Sequence, residues 1–395
     1  MEIQRNLTAA EKWTALAFVL IAVATAGIRP LYDPDEGRYA EIPREMIAMG
    51  DWLAPHLNFV NYLEKPPLAY WITAITYKVF GICEWAARLP NVAYYLGVIF
   101  IIFAVCRRLS GTRDAIRAAC VYATSLLPLF MGRYLTLDFA LAFFLTAGLA
   151  LMGLSETGVF SAAKIVLGWF FVGLAALVKG PVAFVLAIGI AGIYFPLGRF
   201  FLPAREKNSR IGWHLAGFLL AVCVCLPWFF AVGRQVEPFW KFFIIDQHFN
   251  RFGGSEHAEP FWFYVPVLIA GFFPWTFSFL KTMHRKNFVP SLLDPFRLWC
   301  WCWVFVVFIF FSASGGKLVT YVLPLFAPMA ILMASSADEE TDRRSAWLSG
   351  AVLAILAVAL IVAPVPARYE GSLRWAFAPA SVLFGAGAIV TFWMI

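Results

Sequence analysis

The chain has 395 residues, 62% hydrophobic and 14% charged, with 31 Lys+Arg against 24 Asp+Glu, a formal charge of +7 and a mean hydropathy of +0.76. Soluble domains carry about 45–50% apolar and about 25% charged residues, so this composition excludes a soluble enzyme and a disordered chain. It also excludes a nucleic-acid binder, because the excess positive charge falls in short loops between apolar runs; a polytopic helical membrane protein is left.

The first apolar run, Trp13–Ile28, follows Arg5 and Lys12 and has the outline of a signal peptide. No small-x-small site followed by a soluble domain comes after it, so it is expected to be an uncleaved first span. Residues 30–89 are too long for a simple connection and too rich in Trp, Tyr, Leu and Pro for disorder. Within them, Glu41–Met49 and Leu68–Phe80 read as short amphipathic helices at the interface. Further spans are expected at 90–106, 115–132, 138–154, 163–178, 181–198, 212–233, 261–280, 298–313, 318–336, 346–363 and 375–395. With 13–29 that makes about twelve helices of bilayer-crossing length. The seven cysteines fit neither a disulfide ladder nor a zinc knuckle and read as packing or lipid-facing residues.

Orientation follows from Lys and Arg in short loops. Arg107, Arg108, Arg113 and Arg117, then Arg199, Arg205, Lys207 and Arg210, then Lys281, Arg285 and Lys286, then Arg343 and Arg344 alternate correctly for the cytoplasm. The amino terminus is then inside. Residues 30–89, the second larger loop 234–260, and the turns near Arg133, Lys179 and Lys317 face out.

Chemistry-bearing residues gather on that outer side. Asp33-Pro34-Asp35-Glu36-Gly37-Arg38-Tyr39-Ala40-Glu41 follows the first span. Its carboxylates read either as a solvated helix start or as a general base or sugar-orienting charge. Tyr62-Leu63-Glu64-Lys65-Pro66-Pro67 sets a Lys beside an anion between aromatics. That is a surface ion pair, worth little, or a phosphate site, with Tyr and Trp suited to stacking on sugar rings. Asp138 is a helix-start charge or a second active-site carboxylate. His248 and Arg251 lie three apart, Arg251 as a phosphate ligand and His248 as a hydrogen-bonding group or, with Glu64, a metal ligand. Ser314-Gly315-Gly316-Lys317 is not a P-loop, since the required spacing is absent. Lys317 snorkels or joins Lys65 and Arg251 at an anionic headgroup, and Lys179 offers another outer cation.

In order, the segments DEGRYAEIPREMIAMGDWLAPHLN, YLEKPPLAYW, LTLD, LVKG, HFNRF, EPFWFYVPVLIAGFFPW and GGKLVTYVLP run through residues 30–335. This series resembles the ArnT-like lipid-linked glycosyltransferases, relatives of the protein O-mannosyltransferases. The resemblance implies a GT-C fold with interfacial helices in a long first periplasmic loop. It implies catalytic Asp35, Glu36 and Asp138; donor-phosphate contacts from Lys65, Arg251, Lys317 and Tyr321; substrate contacts from Arg38, Tyr39, Tyr62 and Lys179; and Glu64 with His248 at a divalent metal such as zinc. It implies a polyprenyl-phosphate sugar donor, such as undecaprenyl-linked aminoarabinose, no nucleotide cofactor, lipid A or another periplasmic acceptor, and an inner-membrane enzyme working on the periplasmic face. Two departures stand out. Val319 replaces a Pro, and the soluble periplasmic domain that follows the membrane portion in ArnT proteins is expected to be absent, the sequence ending at Ile395 within a span. The rival readings are a protein O-glycosyltransferase and a lipid or sugar transporter or flippase. Against the last, the polar residues collect at one surface rather than at the midplane.

Overall fold

A computed structural model of the chain describes residues 5–157, 160–202, 208–237, 239–243 and 258–335, with isolated positions between 247 and 385. Among these, seven helices are long and apolar enough to cross a membrane: α1 (Ala9–Ala24), α4 (Glu84–Leu109), α7 (Leu137–Ser155), α8 (Ala162–Lys179), α9 (Val182–Phe201), α10 (Asn208–Gln235) and α14 (Pro295–Ala313). Between α1 and α4 lie α2 (Asp35–Met49), a hairpin of β1 (His56–Leu57) and β2 (Val60–Asn61), and α3 (Leu68–Phe80). The remaining elements are α5 (Thr112–Thr124), α6 (Leu126–Met131), α11 (Tyr264–Gly271), α12 (Thr276–Thr282), α13 (Arg285–Leu292), a 3-10 helix (Val319–Leu325) and α15 (Phe326–Ala334).

The apolar runs at 90–106, 138–154, 163–178, 181–198, 212–233 and 298–313 all lie in single helices. Three others take different forms. The run at 115–132 breaks at Ser125, whose backbone is extended (ψ 133°), into α5 and α6. The run at 261–280 becomes α11 and α12, bent by 111° across Phe272–Trp275. Pro274 lies in that break, where it supplies no N–H to continue a helix. The run at 318–336 begins as the 3-10 helix, which contains Pro324, before α15. Residues 346–363 and 375–395 fall, apart from isolated positions, outside the described residues.

Burial ranks the helices. The core window of α7 is 89% buried against 11% for α1, so α7 is the central post and α1 lies at the rim. Close approach needs small side chains, since apolar lipid provides no hydrophobic drive between helices. A Cβ on Gly148 of α7 would sit 2.7 Å from the Gly168 carbonyl of α8, and one on Gly173 of α8 would sit 2.8 Å from the Ala221 carbonyl of α10. Backbone thus meets backbone along α7, α8 and α10. Leu215, Leu219 and Phe230 of α10 and Phe100 of α4 point outward, as lipid-facing residues do.

Alternation of the long helices gives the bundle two unlike ends. At one lie the close of α1, the starts of α2, α4, α7 and α9, and the closes of α8 and α14. Arg107, Arg108, Arg199, Arg210 and Arg297 lie at the other. There Arg210 pairs with buried Glu156, and Arg297 donates to the Ser335 carbonyl at 2.6 Å.

Candidate active site

Two neighbouring acids open α2, an arrangement that suits the positive end of a helix, and they have opposite surroundings. The Asp35 side chain is 52% exposed, with the Arg38 guanidinium one turn on at 3.8 Å. Glu36 is fully buried. Its Oε1 accepts from Arg88 Nε (2.8 Å), Arg29 Nη2 (3.1 Å) and the Leu135 N–H (2.8 Å). Its Oε2 accepts from Arg88 Nη2 (2.9 Å), Arg29 Nη1 (2.5 Å) and the Tyr32 N–H (3.0 Å). Burial alone would raise this carboxyl, but the hydrogen bonds from Arg88 and Arg29 prevail and hold it below the usual range. Arg88, also fully buried, donates further to the carbonyls of Ala26, Arg29 and Pro30. Glu36 therefore knots the end of α1, the start of α2, α4 and the approach to α7. Expected beside Asp35 in the chemistry, it is buried with six N–H groups on its two oxygens.

The residues after Asp35 form a wall with the Glu64–Lys65 segment. Arg38 lies against Tyr62, and the Tyr62 hydroxyl donates to Glu64 Oε2 at 3.1 Å. Lys65 Nζ donates to the Glu64 carbonyl at 3.0 Å. The backbone holds this segment: Tyr62 N–H donates to the Pro55 carbonyl at 2.7 Å, and buried Pro66 and Pro67 lead into α3. Tyr39 packs on buried Tyr70, ring centroids 6.5 Å apart. Burial first, then the fields of Tyr62, Asp138 and Asp35, push the Tyr39 phenol well above its ordinary value.

Asp138 sits in the first turn of α7, its N–H donating to the Thr136 cap oxygen at 3.3 Å. Its Oδ1 pairs with the Lys179 ammonium, and its Oδ2 accepts from Thr320 Oγ1 at 2.5 Å. The same ammonium lies 3.9 Å from the centroid of the Tyr321 ring. Lys317 is buried and donates to the Glu259 carbonyl at 2.8 Å and to the Ser314 carbonyl. The structure thus joins Asp138, Lys179 and Tyr321 in one cluster. Lys179, expected at the substrate, has the Asp138 carboxylate as a partner, and Lys317 bridges a carbonyl of its own loop, Ser314, and one of a distant segment, Glu259.

His248 and Arg251 lie outside the described residues, so the structure does not place the expected Glu64–His248 metal pair. Among the described residues, no three His, Cys, Asp or Glu side chains gather in a way that could hold a metal ion. Three members of the assembly escaped the sequence reading: Arg29, Arg88 and Thr320. Arg88 carried a signal, a cation at the mouth of an apolar run, where charge is costly unless paired.

Comparisons with known proteins bear on the family and the fold. The family model described as dolichyl-phosphate-mannose-protein mannosyltransferase matches residues 13–243. The undecaprenyl phosphate-alpha-4-amino-4-deoxy-L-arabinose arabinosyl transferase of Aeromonas salmonicida (strain A449) is 33% identical, over 96% of this chain and 72% of its own length. The crystal structure of ArnT from Cupriavidus metallidurans bound to undecaprenyl phosphate superposes with a TM-score of 0.82 at 26% identity, covering 98% of this chain and 77% of that one. The Archaeoglobus fulgidus oligosaccharyltransferase, at 14% identity and a TM-score of 0.57 over 97% of this chain and 57% of its own, shares the fold alone. The bundle is the GT-C fold, and the chain belongs to the dolichyl-phosphate-mannose-protein mannosyltransferase family, among the membrane glycosyltransferases that include the aminoarabinose transferases.

Proposed function

We infer that the chain transfers a sugar from an undecaprenyl-phosphate donor to lipid A or another acceptor on the periplasmic face of the bacterial inner membrane, with its amino terminus in the cytoplasm. The observation that carries this reading is that Asp35, Arg38, Tyr39, Tyr62 and Lys65 of the first loop and Asp138 at the start of α7 lie at one end of the bundle, opposite Arg107, Arg199 and Arg210. Relatives named for undecaprenyl-phosphate aminoarabinose support aminoarabinose as the sugar.

In the reaction an acceptor oxygen attacks the anomeric carbon as the bond from that carbon to the polyprenyl-phosphate oxygen breaks. Attack from the opposite face inverts the centre. The leaving group departs as a phosphate anion, and Lys65 with Arg251 neutralises the growing charge. A hydroxyl acceptor gives its proton to Asp35. A phosphate acceptor needs no base, and Asp35 with Arg38 then orients the reactants.

The test is transfer from undecaprenyl-phosphate aminoarabinose to lipid A in membranes containing the chain, read by mass spectrometry. Wild type forms product, and Asp35→Asn at equal expression forms none. Product in Asp35→Asn membranes removes Asp35 from the reaction. Sugar recovered on protein instead of lipid makes the chain a protein O-glycosyltransferase, the acceptor class in the matching family's description.

A further inference from the structure

Asp138 is buried, and a buried carboxylate needs a donor on each oxygen. Its Oδ1 has the Lys179 ammonium and its Oδ2 has Thr320 Oγ1 at 2.5 Å, with Thr136 Oγ1 further off at 3.5 Å. The three main partners come from three places. Asp138 lies in the first turn of α7, Lys179 is the last residue of α8, and Thr320 belongs to the 3-10 helix after α14. A Lys at the end of α8 suits the helix dipole, but its ammonium sits on a flexible four-carbon stem, so its position is set by what it meets. It meets the Asp138 carboxylate and the face of Tyr321, 3.9 Å from the ring centroid. An ammonium has three N–H donors, and among the described residues Asp138 alone accepts a hydrogen bond from this one.

The backbone that presents Thr320 is held on both flanks. Lys317 donates to the Glu259 and Ser314 carbonyls, and the hydroxyl of buried Tyr264 donates to the Leu318 carbonyl at 3.2 Å. Tyr321 packs on Phe311, ring centroids 5.4 Å apart. Thr is stiff about χ1, so its hydroxyl is delivered at a fixed place. Without that hydroxyl the carboxylate, whose terminal torsion is soft, is free to turn and to carry the ammonium with it.

We propose that Thr320 is a positioning residue for sugar transfer: its hydroxyl fixes the Asp138 carboxylate, which holds the Lys179 ammonium on the Tyr321 ring with N–H groups left for the donor phosphate. The assignment rests on the donor being a polyprenyl phosphate, as inferred above. Asp138 is then the anchor of a cation and not a base, because both its oxygens are occupied. The charge that grows on the leaving phosphate meets an ammonium already in place.

The test is native mass spectrometry of the full chain in detergent with undecaprenyl phosphate and the phosphate-free undecaprenol. Thr320→Val keeps the branched shape and removes the hydroxyl. It should weaken undecaprenyl phosphate by about tenfold and leave undecaprenol unchanged, and Thr320→Ser should restore wild-type binding. In a Lys179→Met background no ammonium is left to place, so Thr320→Val should cost nothing further. In the transfer assay kcat of Thr320→Val should fall while the KM of the acceptor stays the same. Wild-type affinity for undecaprenyl phosphate in Thr320→Val overturns the proposal. So does an equal loss of undecaprenol, which marks a general loss of structure, and so does a full loss on adding Thr320→Val to Lys179→Met. The donor reading is tested by wild type alone: if it binds the two lipids equally, the polyprenyl-phosphate reading falls, and the role of Thr320 with it.

Discussion

Asp35 and Glu36 are adjacent carboxylates with opposite tasks, and the difference is environment alone. Asp35 is half exposed with one cation at 3.8 Å. Glu36 is buried among six donors. Removing one partner of a buried pair leaves the other charge uncompensated, which costs about 3–5 kcal/mol. Arg88→Ala should therefore lower the thermal midpoint of the purified protein far more than Asp35→Asn does, and differential scanning fluorimetry of the two variants decides it. A midpoint for Arg88→Ala equal to wild type would show that the knot does not hold the fold. Linkage adds a pH signature. The Glu36 carboxyl is depressed below its ordinary 4.5 in the folded chain, so its contribution is complete above that value and is lost as pH falls through the lower folded value. Protection of the Tyr32 and Leu135 amides, whose N–H groups it accepts, measured against the intrinsic exchange rate at each pH, should stay high at neutral pH and fall in acid. In Glu36→Gln that acid step should be missing.

Interfacial elements between α1 and α4 show what local sequence settles. Leu68–Phe80 reads as one amphipathic helix and forms one. The α2 helix starts six residues before the expected Glu41, because Asp35 and Glu36 supply a first turn suited to the helix dipole. The hairpin between them was not legible. Asn58 and Phe59 both take left-handed backbone (φ 55° and 60°), a pairing natural to Asn and unusual for Phe. What holds it is a long-range contact, the Phe59 N–H donating to buried Glu45 Oε2 at 2.8 Å. Helix crossings were equally hidden, since a Gly in an apolar run does not announce its neighbour. They carry a prediction. Gly148→Ala must push apart two backbones already in contact, whereas Gly192→Ala on α9 meets nothing within 4 Å. Gly148→Ala should lose folded yield and several degrees of thermal midpoint, and Gly192→Ala should keep both; fluorescence-detected size-exclusion chromatography reads the difference. Equal profiles would mean that α7 and α8 have room the structure does not show.

At the scale of the molecule, the apolar runs made the bundle legible, and the alternating basic loops indicated that the polar motifs share one end. Which motif touches which could not be read. Lys179 and Asp138 are 41 residues apart, and Arg88 reaches Glu36 across 52. Such pairs are set by how α4, α7 and α8 pack, and no local pattern records that. The same two-ended architecture carries the last prediction. Arg107, Arg108 and Arg199, in the last turns of α4 and α9, and Lys286 of α13 lie at the end remote from Asp35 and Asp138, and positive charge flanking short connections is retained in the cytoplasm. Asn61 of β2 and Lys286 of α13 are exposed on opposite ends of the chain's fold. All seven native cysteines are free, so the background for labelling is a variant with each changed to serine. In that background, Asn61→Cys should react with a membrane-impermeant maleimide in spheroplasts. Lys286→Cys should react only after lysis. The reverse pattern would turn the active site toward the cytoplasm, where the donor lipid would have to present its sugar on the inner leaflet, and the periplasmic reading of the reaction would be lost.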